Sequence, residues 1–465
     1  MTDNNSFWTP TISKAAGPVY LAIADALQAD IRSGRLPAGA RLPPQRALGE
    51  ALGIDFTTVT RAYAEARKRG LVEGRIGQGT YVCAVRPAGL RQRPSAAGLV
   101  DMSMNLPPRF DDPALTARLW QGVAGLEAEG GLDLLLRYQQ PGGAARDREA
   151  GIAWLAERLP DLSSERLLIC PGAQGGLLAA LAALTSPGDT ICAEALTYPG
   201  LLAAAQHLRL EVAGVAVDDK GVIPDALEAV CAQRRPKAFY CNPTLSNPTT
   251  ITLPAERRQA VVAIAEKYGL AIIEDDAYGA LPAAPPAPLA ALAPERVYHI
   301  AGLAKCLSPA LRISYLVAPD RRSATRLSGI IRATAAMASP LSAAIASRWI
   351  EDGTAEEVRR AIRAETQARQ AIAADVLPPG SYRTDRDAFH LWLQLPPLWR
   401  RGEFTLRLRA AGIGAVASDA FAIGDAPEAV RLGLGGPDDR DQLRQSLGIV
   451  ADMLAQSPAE SSLVI

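Results

Sequence analysis

Cysteine and histidine are scarce in this chain and badly spaced for joint work. Six cysteines stand at 83, 170, 192, 231, 241 and 306 with no C-x-x-C pair, beside only three histidines. That spacing argues against a disulfide framework and a structural zinc site, and predicts reduced thiols and no bound metal. No apolar run reaches membrane-spanning length either, although 48% of the 465 residues are hydrophobic. Met1–Pro10 is polar and lacks the charged-then-apolar order of a secretory leader, so a cytoplasmic protein is expected. There is no excess of charge of either sign: 49 Lys and Arg balance 49 Asp and Glu. The balance fails locally. Residues 15–93 carry twelve Lys/Arg and six Asp/Glu, which leaves −6 for the remainder. A basic block on an otherwise acidic chain points to a polyanionic partner for that block alone. The length exceeds one ordinary core, so two or three domains are expected.

Within the basic block, Leu21, Ile23, Ala24, Leu27 and Ile31 recur near 3.6 residues and predict a helix over Pro18–Ser33, broken by Gly34 and Pro37. A short helix over Pro44–Leu52 is stopped by Gly53. Asp55 then caps a third helix carrying Val59, Ala62, Tyr63 and Ala66 on one face, closed by Gly70. Leu71–Val82 holds two short β runs around a Gly-rich turn, which predicts a hairpin. Helix, helix–turn–helix and hairpin together make a winged helix-turn-helix over residues 15–85. In that plan Thr57, Thr58, Thr60 and Arg61 face the major groove of double-stranded DNA, and Arg75 on the wing lies near its backbone. Residues 86–99, rich in Pro, Gly, Ala and Arg without apolar period, read as a tether.

From residue 100 to 465 apolar strand segments alternate with helical ones. Strands are predicted at Leu167–Cys170, Thr190–Ala195, Leu210–Val217, Ala238–Cys241, Ala271–Glu274, Val297–Ile300 and Ile313–Val317. Helices are predicted at Gly175–Leu184, Leu201–Leu208, Pro254–Tyr268 and Ala343–Ile350. The alternation predicts an α/β domain with a mostly parallel central sheet and helices on both faces; strands at His390–Leu395 and Ala429–Leu434 suggest a smaller α+β lobe. Ligands of such sheets bind beyond the carboxyl ends of the strands. There the chain places Pro171-Gly172-Ala173-Gln174 at a helix start, an anion site made of backbone N–H groups. Tyr198 follows the next strand and could stack on a flat ring. Asn247, Asp275 and Tyr278 follow others. Lys305 stands between the last two strands, with Arg312 seven residues on.

An amine able to form a Schiff base, a carboxylate for a ring nitrogen, phenol and amide donors, and an anion cradle with an arginine fork match pyridoxal 5′-phosphate (PLP). On that reading Lys305 takes the aldehyde, Asp275 keeps the pyridine nitrogen protonated, and Asn247 and Tyr278 bond the 3′-oxygen. Cys306, beside the lysine, reads as a small apolar filler, and His207, His299 and His390 as structural.

Two stretches resemble known families. R-L-P-P-Q-R-A-L-G-E-A-L-G-I-D-F-T-T-V-T-R resembles the DNA-binding domain of GntR-type bacterial regulators, which implies a phosphate contact for Arg46. Asp55-Phe56 stands where that family often has Ser-Arg, so an arginine contact is missing. Residues 100–465 resemble the fold-type I aminotransferases. The resemblance implies Gly172, Ala173, Gln174 and Arg312 on the phosphate, Tyr138 reaching a phosphate across a dimer interface, and Arg431 on a substrate carboxylate. Gly302 and Ala304 stand where hydroxyl residues are common, which puts tight cofactor binding in doubt. The fused architecture is similar to the MocR regulators. It implies a head-to-tail homodimer, paired DNA half-sites, and an amino compound or PLP itself as effector. Enzymatic activity stays open: an active aminotransferase carrying a DNA-binding module is the rival reading, and a regulator that has lost PLP is a third.

Overall fold

The computed structural model describes residues 8–10, 18–32, 35–37, 39–68, 71–75, 79–82, 98–126, 134 and 136–456. Most of the predicted tether (86–97), the wing turn and Gly34 and Gly70 fall outside them. The chain divides into two compact units, residues 1–95 and 96–465.

In the first unit α1 (Val19–Arg32), α2 (Gln45–Leu52) and α3 (Phe56–Lys68) precede the antiparallel hairpin β1 (Val72–Arg75) and β2 (Gly79–Val82). The apolar faces foreseen from spacing close on one another: Leu27, Ile31, Leu48, Val59, Tyr63 and Ala66 share one core with Val72 and Val82. Burying each large side chain contributes about 1.5–3 kcal/mol. Tyr63 satisfies its buried hydroxyl on the Pro43 carbonyl at 2.9 Å. Gly53 ends α2 in a left-handed conformation (φ 62°), where its lack of Cβ removes the strain. The segment 39–42 adds an edge to the hairpin, with Leu42 N–H donating to Thr80 O and Val82 N–H to Ala40 O.

The second unit contains β3 (Val100–Asp101), β4 (Leu167–Cys170), β5 (Thr190–Glu194), β6 (Glu211–Val215), β7 (Val217–Asp218), β8 (Gly221–Val222), β9 (Ala238–Cys241), β10 (Ala271–Asp275), β11 (Val297–Gly302) and β12 (Ser314–Val317). The last portion adds β13 (Tyr382–Arg383), β14 (His390–Gln394), β15 (Ile413–Gly414), β16 (Val416–Ala417) and β17 (Ala429–Gly433). Seven strands form the central sheet in the order β4-β12-β11-β10-β9-β5-β6. All pairings are parallel except those of β12, which runs antiparallel to both β11 and β4. The connection 303–313 explains that exception: it is too short for a parallel crossover. Alternate residues of each strand feed two cores. Leu167, Ile169, Phe239 and Ile272 pack on one face, and Leu168, Cys170, Tyr240 and Ile273 on the other. This is the near-continuous apolar character of a sheet covered on both sides.

The smaller lobe is a four-stranded antiparallel sheet, β13-β14-β17-β16, over a core that includes Met102, Leu391, Leu393, Val430 and Leu432. Several boundaries differ from expectation; the helices predicted from Leu201 and Ala343 begin at Pro199 and Pro340, and two further differences matter more. The helix predicted from Gly175 starts at Gly172, so Gly172-Ala173-Gln174 are its first turn. The single strand predicted over Leu210–Val217 breaks at Ala216 into β6 and β7, and β7 turns away to pair with β8.

Candidate functional site

Asp275 ends β10 at the carboxyl edge of the sheet and is buried. Its Oδ2 accepts from the Tyr240 hydroxyl at 2.8 Å, and its main-chain carbonyl accepts from Asn242 Nδ2 at 2.5 Å. Oδ1 is buried and has no hydrogen-bond partner. Burial pushes this carboxyl up to about 6; the Tyr240 hydrogen bond, His299 and Lys305 oppose the rise, and Asp276 adds to it. A carboxylate with one free, buried oxygen is poised for a cationic or N–H partner.

Lys305 follows β11 and donates from Nζ to the main-chain oxygen of Asn105. Burial, then Arg431 and Arg312, bring its ammonium down to about 8, against the pull of Asp275. An amine lowered in this way is a competent nucleophile near neutral pH. Arg312 adopts φ 52° and lays its guanidinium against Gly172; a Cβ on Gly172 would meet Nη2 at 2.9 Å. Gly172 itself has φ 74°, so both strain and space require glycine there. Ala173 lies beside Gly302, whose added Cβ would meet the Ala173 Cβ at 3.2 Å. Gln174 donates to the Gly200 carbonyl at 2.9 Å, and the Tyr198 ring lies against Gly200. The charges of Asp275, Arg312 and Arg431 all act on the Tyr198 hydroxyl, which burial raises above its ordinary range.

Tyr278 is buried, packs edge-on against Phe389 at 5.8 Å between centroids, and accepts from Asn105 Nδ2 at 2.8 Å. Asn247 receives Arg431 Nη1 on Oδ1 at 2.8 Å, while its N–H donates to Asn242 Oδ1 at 2.9 Å. Arg431, on β17, also donates to the Ser103 carbonyl and lies 5.0 Å from the Phe421 ring centre; its Nε is buried without a partner.

Thus Gly172 and Arg312, Gln174 and Tyr198, and Asn247 and Arg431 meet in pairs, and the charges of Asp275, Arg312 and Arg431 act on both Tyr198 and Lys305, so these residues gather at one edge of the sheet; Tyr278 is joined to Lys305 through Asn105, and Ala173 lies beside Gly302. Tyr138 does not join them within one chain, since its side chain is 88% exposed. Sequence reasoning missed Asn105, Tyr240 and Asn242, and it left His390 as merely structural. It also missed the charged layer behind Asp275. Glu274, fully buried, accepts from the Leu289 and Ala290 N–H groups and from His299 Nδ1 at 2.9 Å. Burial pushes the Glu274 carboxyl up, but His299 and Arg258 together hold it below its ordinary value. Asp276 pairs with Arg158 at 2.9 Å.

In the first unit Asp55 Oδ1 accepts from the Thr57 N–H at 2.8 Å and from its hydroxyl at 2.5 Å, capping α3. Thr57, Thr60 and Arg61 are exposed and Thr58 half-buried. Thr60 Oγ1 lies 2.7 Å from Gln45 Oε1, which joins α3 to α2. Arg61 stacks over the Tyr20 ring of α1 at 4.4 Å, so at rest it is turned toward that helix. Arg46 lies 5.7 Å from the ring of Phe56, a 46% exposed aromatic on the first turn of α3. Arg75 is paired through its backbone with Gly79.

Residues 123–447 match the class I and II aminotransferases, and residues 19–82 match the gntR family of bacterial regulatory proteins. The HTH-type transcriptional regulator YdeF of Bacillus subtilis is 30% identical over 451 residues, covering 96% of each chain. The pyridoxine biosynthesis transcriptional regulator PdxR of Corynebacterium glutamicum is 27% identical over 368 residues, 75% of this chain and 76% of PdxR. Among solved structures, the kynurenine aminotransferase of Pyrococcus horikoshii superposes with TM-score 0.70 at 22% identity, covering 77% of this chain and 91% of that one. LysN, the α-aminoadipate aminotransferase of Thermus thermophilus, gives 0.69 at 24% identity, covering 77% of this chain and 93% of LysN. At those identities the likeness speaks for the fold.

Proposed function

We propose a function from the premise that this chain belongs to the GntR-type transcriptional regulators whose second domain is a class I and II aminotransferase domain, the MocR architecture. It is a DNA-binding regulator that holds PLP in the cleft and answers to PLP itself or to an amino compound that meets it there. The observation that carries this reading is the buried, partnerless Oδ1 of Asp275, in a cleft that also receives the lowered amine of Lys305. The residues present fit the cofactor. Asp275 would take its ring nitrogen, Tyr198 its face, and Tyr278 and Asn247 its phenolic oxygen. Lys305 would take its aldehyde, and the 172–174 amides with Arg312 its phosphate. When bound, PLP supplies a Schiff-base carbon and an electron sink.

Arg431 would hold the carboxylate of an amino compound, because its fork already grips acceptors at Asn247 and Ser103 and keeps Nε free. An effector biases DNA affinity only by interacting differently with two states of the protein. A head-to-tail homodimer with paired half-sites completes the proposal; the exposed Tyr138 and Leu136 (70%) favour a second copy over solvent. Among described residues no helix is long and apolar enough to cross a membrane.

The test combines absorbance and gel retardation. Wild type incubated with PLP should show a visible Schiff-base band that is absent in Lys305→Ala, and PLP or an amine should change retardation of promoter DNA. No band in the wild type refutes the cofactor. Steady turnover of an amino donor with a 2-oxo acid, without any effect on DNA, identifies an enzyme instead, for which the same groups would serve.

A further inference from the structure

Asn105 sits on the segment that leads from β3 into the cleft, and no motif or spacing marks it. It is buried, its Nδ2 donates to the Tyr278 hydroxyl at 2.8 Å, and the same Nδ2 lies 3.2 Å from His390 Nδ1. The other ring nitrogen of His390, Nε2, lies 3.2 Å from the main-chain oxygen of Ser246. A carbonyl can only accept, so Nε2 carries the ring proton and Nδ1 keeps its lone pair. Burial, reinforced by Arg431 and Lys305, holds His390 down at about 3, so the ring stays neutral and this tautomer persists. One hydrogen of the Asn105 amide is therefore directed at His390 and the other at Tyr278. The Tyr278 oxygen then serves as an acceptor at its back. The main-chain oxygen of Asn105 meanwhile holds Lys305 Nζ, so one residue touches both the amine and the phenol of the site.

We infer that Asn105 is a positioning residue: with His390 it fixes the direction of a hydrogen-bond chain so that Tyr278 donates its phenolic proton into the cleft. The inference rests on the cofactor reading above, where the acceptor is the phenolic oxygen of PLP. A donor there favours the ionised oxygen, so the chain running from the Ser246 carbonyl through His390 and Asn105 tunes the cofactor from outside its contact shell.

The test is a pH titration of the visible band of PLP-loaded protein. Asn105→Asp places an acceptor where the donor stood, and Tyr278 turns its proton away from the cleft. The transition should move upward by about one to two pH units, as loss of one hydrogen bond to an anionic oxygen implies. His390→Asn keeps an acceptor at the Nδ1 position and should titrate close to wild type, whereas His390→Leu should move in the direction of Asn105→Asp. In a Tyr278→Phe background Asn105→Asp should add no further shift, an outcome that a merely structural role would not give. Equal titrations of wild type and Asn105→Asp overturn this inference and leave the cofactor reading standing. Absence of any band in the wild type overturns both.

Discussion

Replacing Asp275 by asparagine separates what the site costs the fold from what it gives the cofactor. In the cofactor-free protein the Asp275 carboxyl is raised from 3.8 to about 6, chiefly by burial. A raised acid contributes stability that is fully present below the unfolded value and is lost as pH rises through the folded one. That rise corresponds to about 3 kcal/mol lost by pH 8 relative to strongly acid solution, and about half is already lost at pH 5. Asparagine does not titrate and has no such pH dependence. It keeps an oxygen for the Tyr240 hydroxyl but places an NH2 where Oδ1 is unpartnered, a pH-independent cost of about 1–3 kcal/mol. Between pH 5 and pH 8 the variant should therefore gain about 1–2 kcal/mol on the wild type, about 2 °C in Tm for a unit of this size.

Calorimetric melts of cofactor-free protein at both pH values measure that gain. Saturating PLP should reverse the ranking, because a protonated ring nitrogen turns the buried carboxylate from a penalty into a partner. At a hundredfold excess over Kd the ligand stabilises the wild type by about 2.7 kcal/mol, and the variant should receive much less. Melting curves that keep a constant separation from pH 5 to pH 8 would refute the argument that Asp275 is held as a strained, uncompensated acid.

Gly172→Ala should cost about 1–2 kcal/mol from the left-handed backbone alone. Its Cβ also displaces the Arg312 guanidinium, so PLP affinity by fluorescence titration should fall about tenfold or more; unchanged affinity would remove Arg312 from the phosphate. In the first unit, Arg46→Ala should weaken binding to promoter DNA about equally for all sequences and lower the salt slope of log K by about 1. Anisotropy titrations across salt concentrations read that slope, and an unaltered slope would mean that Arg46 supports Phe56 rather than a phosphate.

The parts of the site that could be read from the sequence are those delivered by strand ends. Asp275, Lys305 and the 172–174 turn each follow an apolar run, and a strand followed by a polar turn is a local pattern. Asn105 had no such signal: it lies in an aperiodic stretch, 200 residues before Lys305 and 285 before His390. Tyr240 was hidden for another reason. Alternation along Ala238–Cys241 turns it toward the same face as Ile273, so its ring reads as core while its hydroxyl reaches Asp275. The 171–174 turn is legible as a helix start, but the helical run itself is foreseen only from Gly175; proline just outside the first turn and glycine at φ 74° let it begin at Gly172. The antiparallel β12 could have been inferred from the short link that carries Lys305, residues 303–313, which is too short for a parallel crossover.

The grips on the two ends of the expected cofactor are unequal, and the inequality bears on what such a site is for. The ring end would have a buried carboxylate, a tyrosine against its face and a phenol held from behind. Within one chain the phosphate end would have only main-chain amides and Arg312, which is exposed, with Tyr138 to be added across the proposed dimer. Gly302 and Ala304 offer no hydroxyl, and a Cβ added at Gly302 would meet the Ala173 Cβ at 3.2 Å, so a serine at 302 would fit only tightly against the helix start. A hydrogen bond to a charged oxygen contributes about 1.5–3 kcal/mol, so each missing hydroxyl lowers affinity by about ten- to a hundredfold. An enzyme gains from a cofactor that stays through every turnover. A sensor of that cofactor needs the opposite, a dissociation constant near the free concentration, so that occupancy follows supply. On the proposed reading, a firm ring pocket would preserve selectivity while a lean phosphate cup would permit release, the combination a regulator that reads PLP needs and an aminotransferase that keeps it does not.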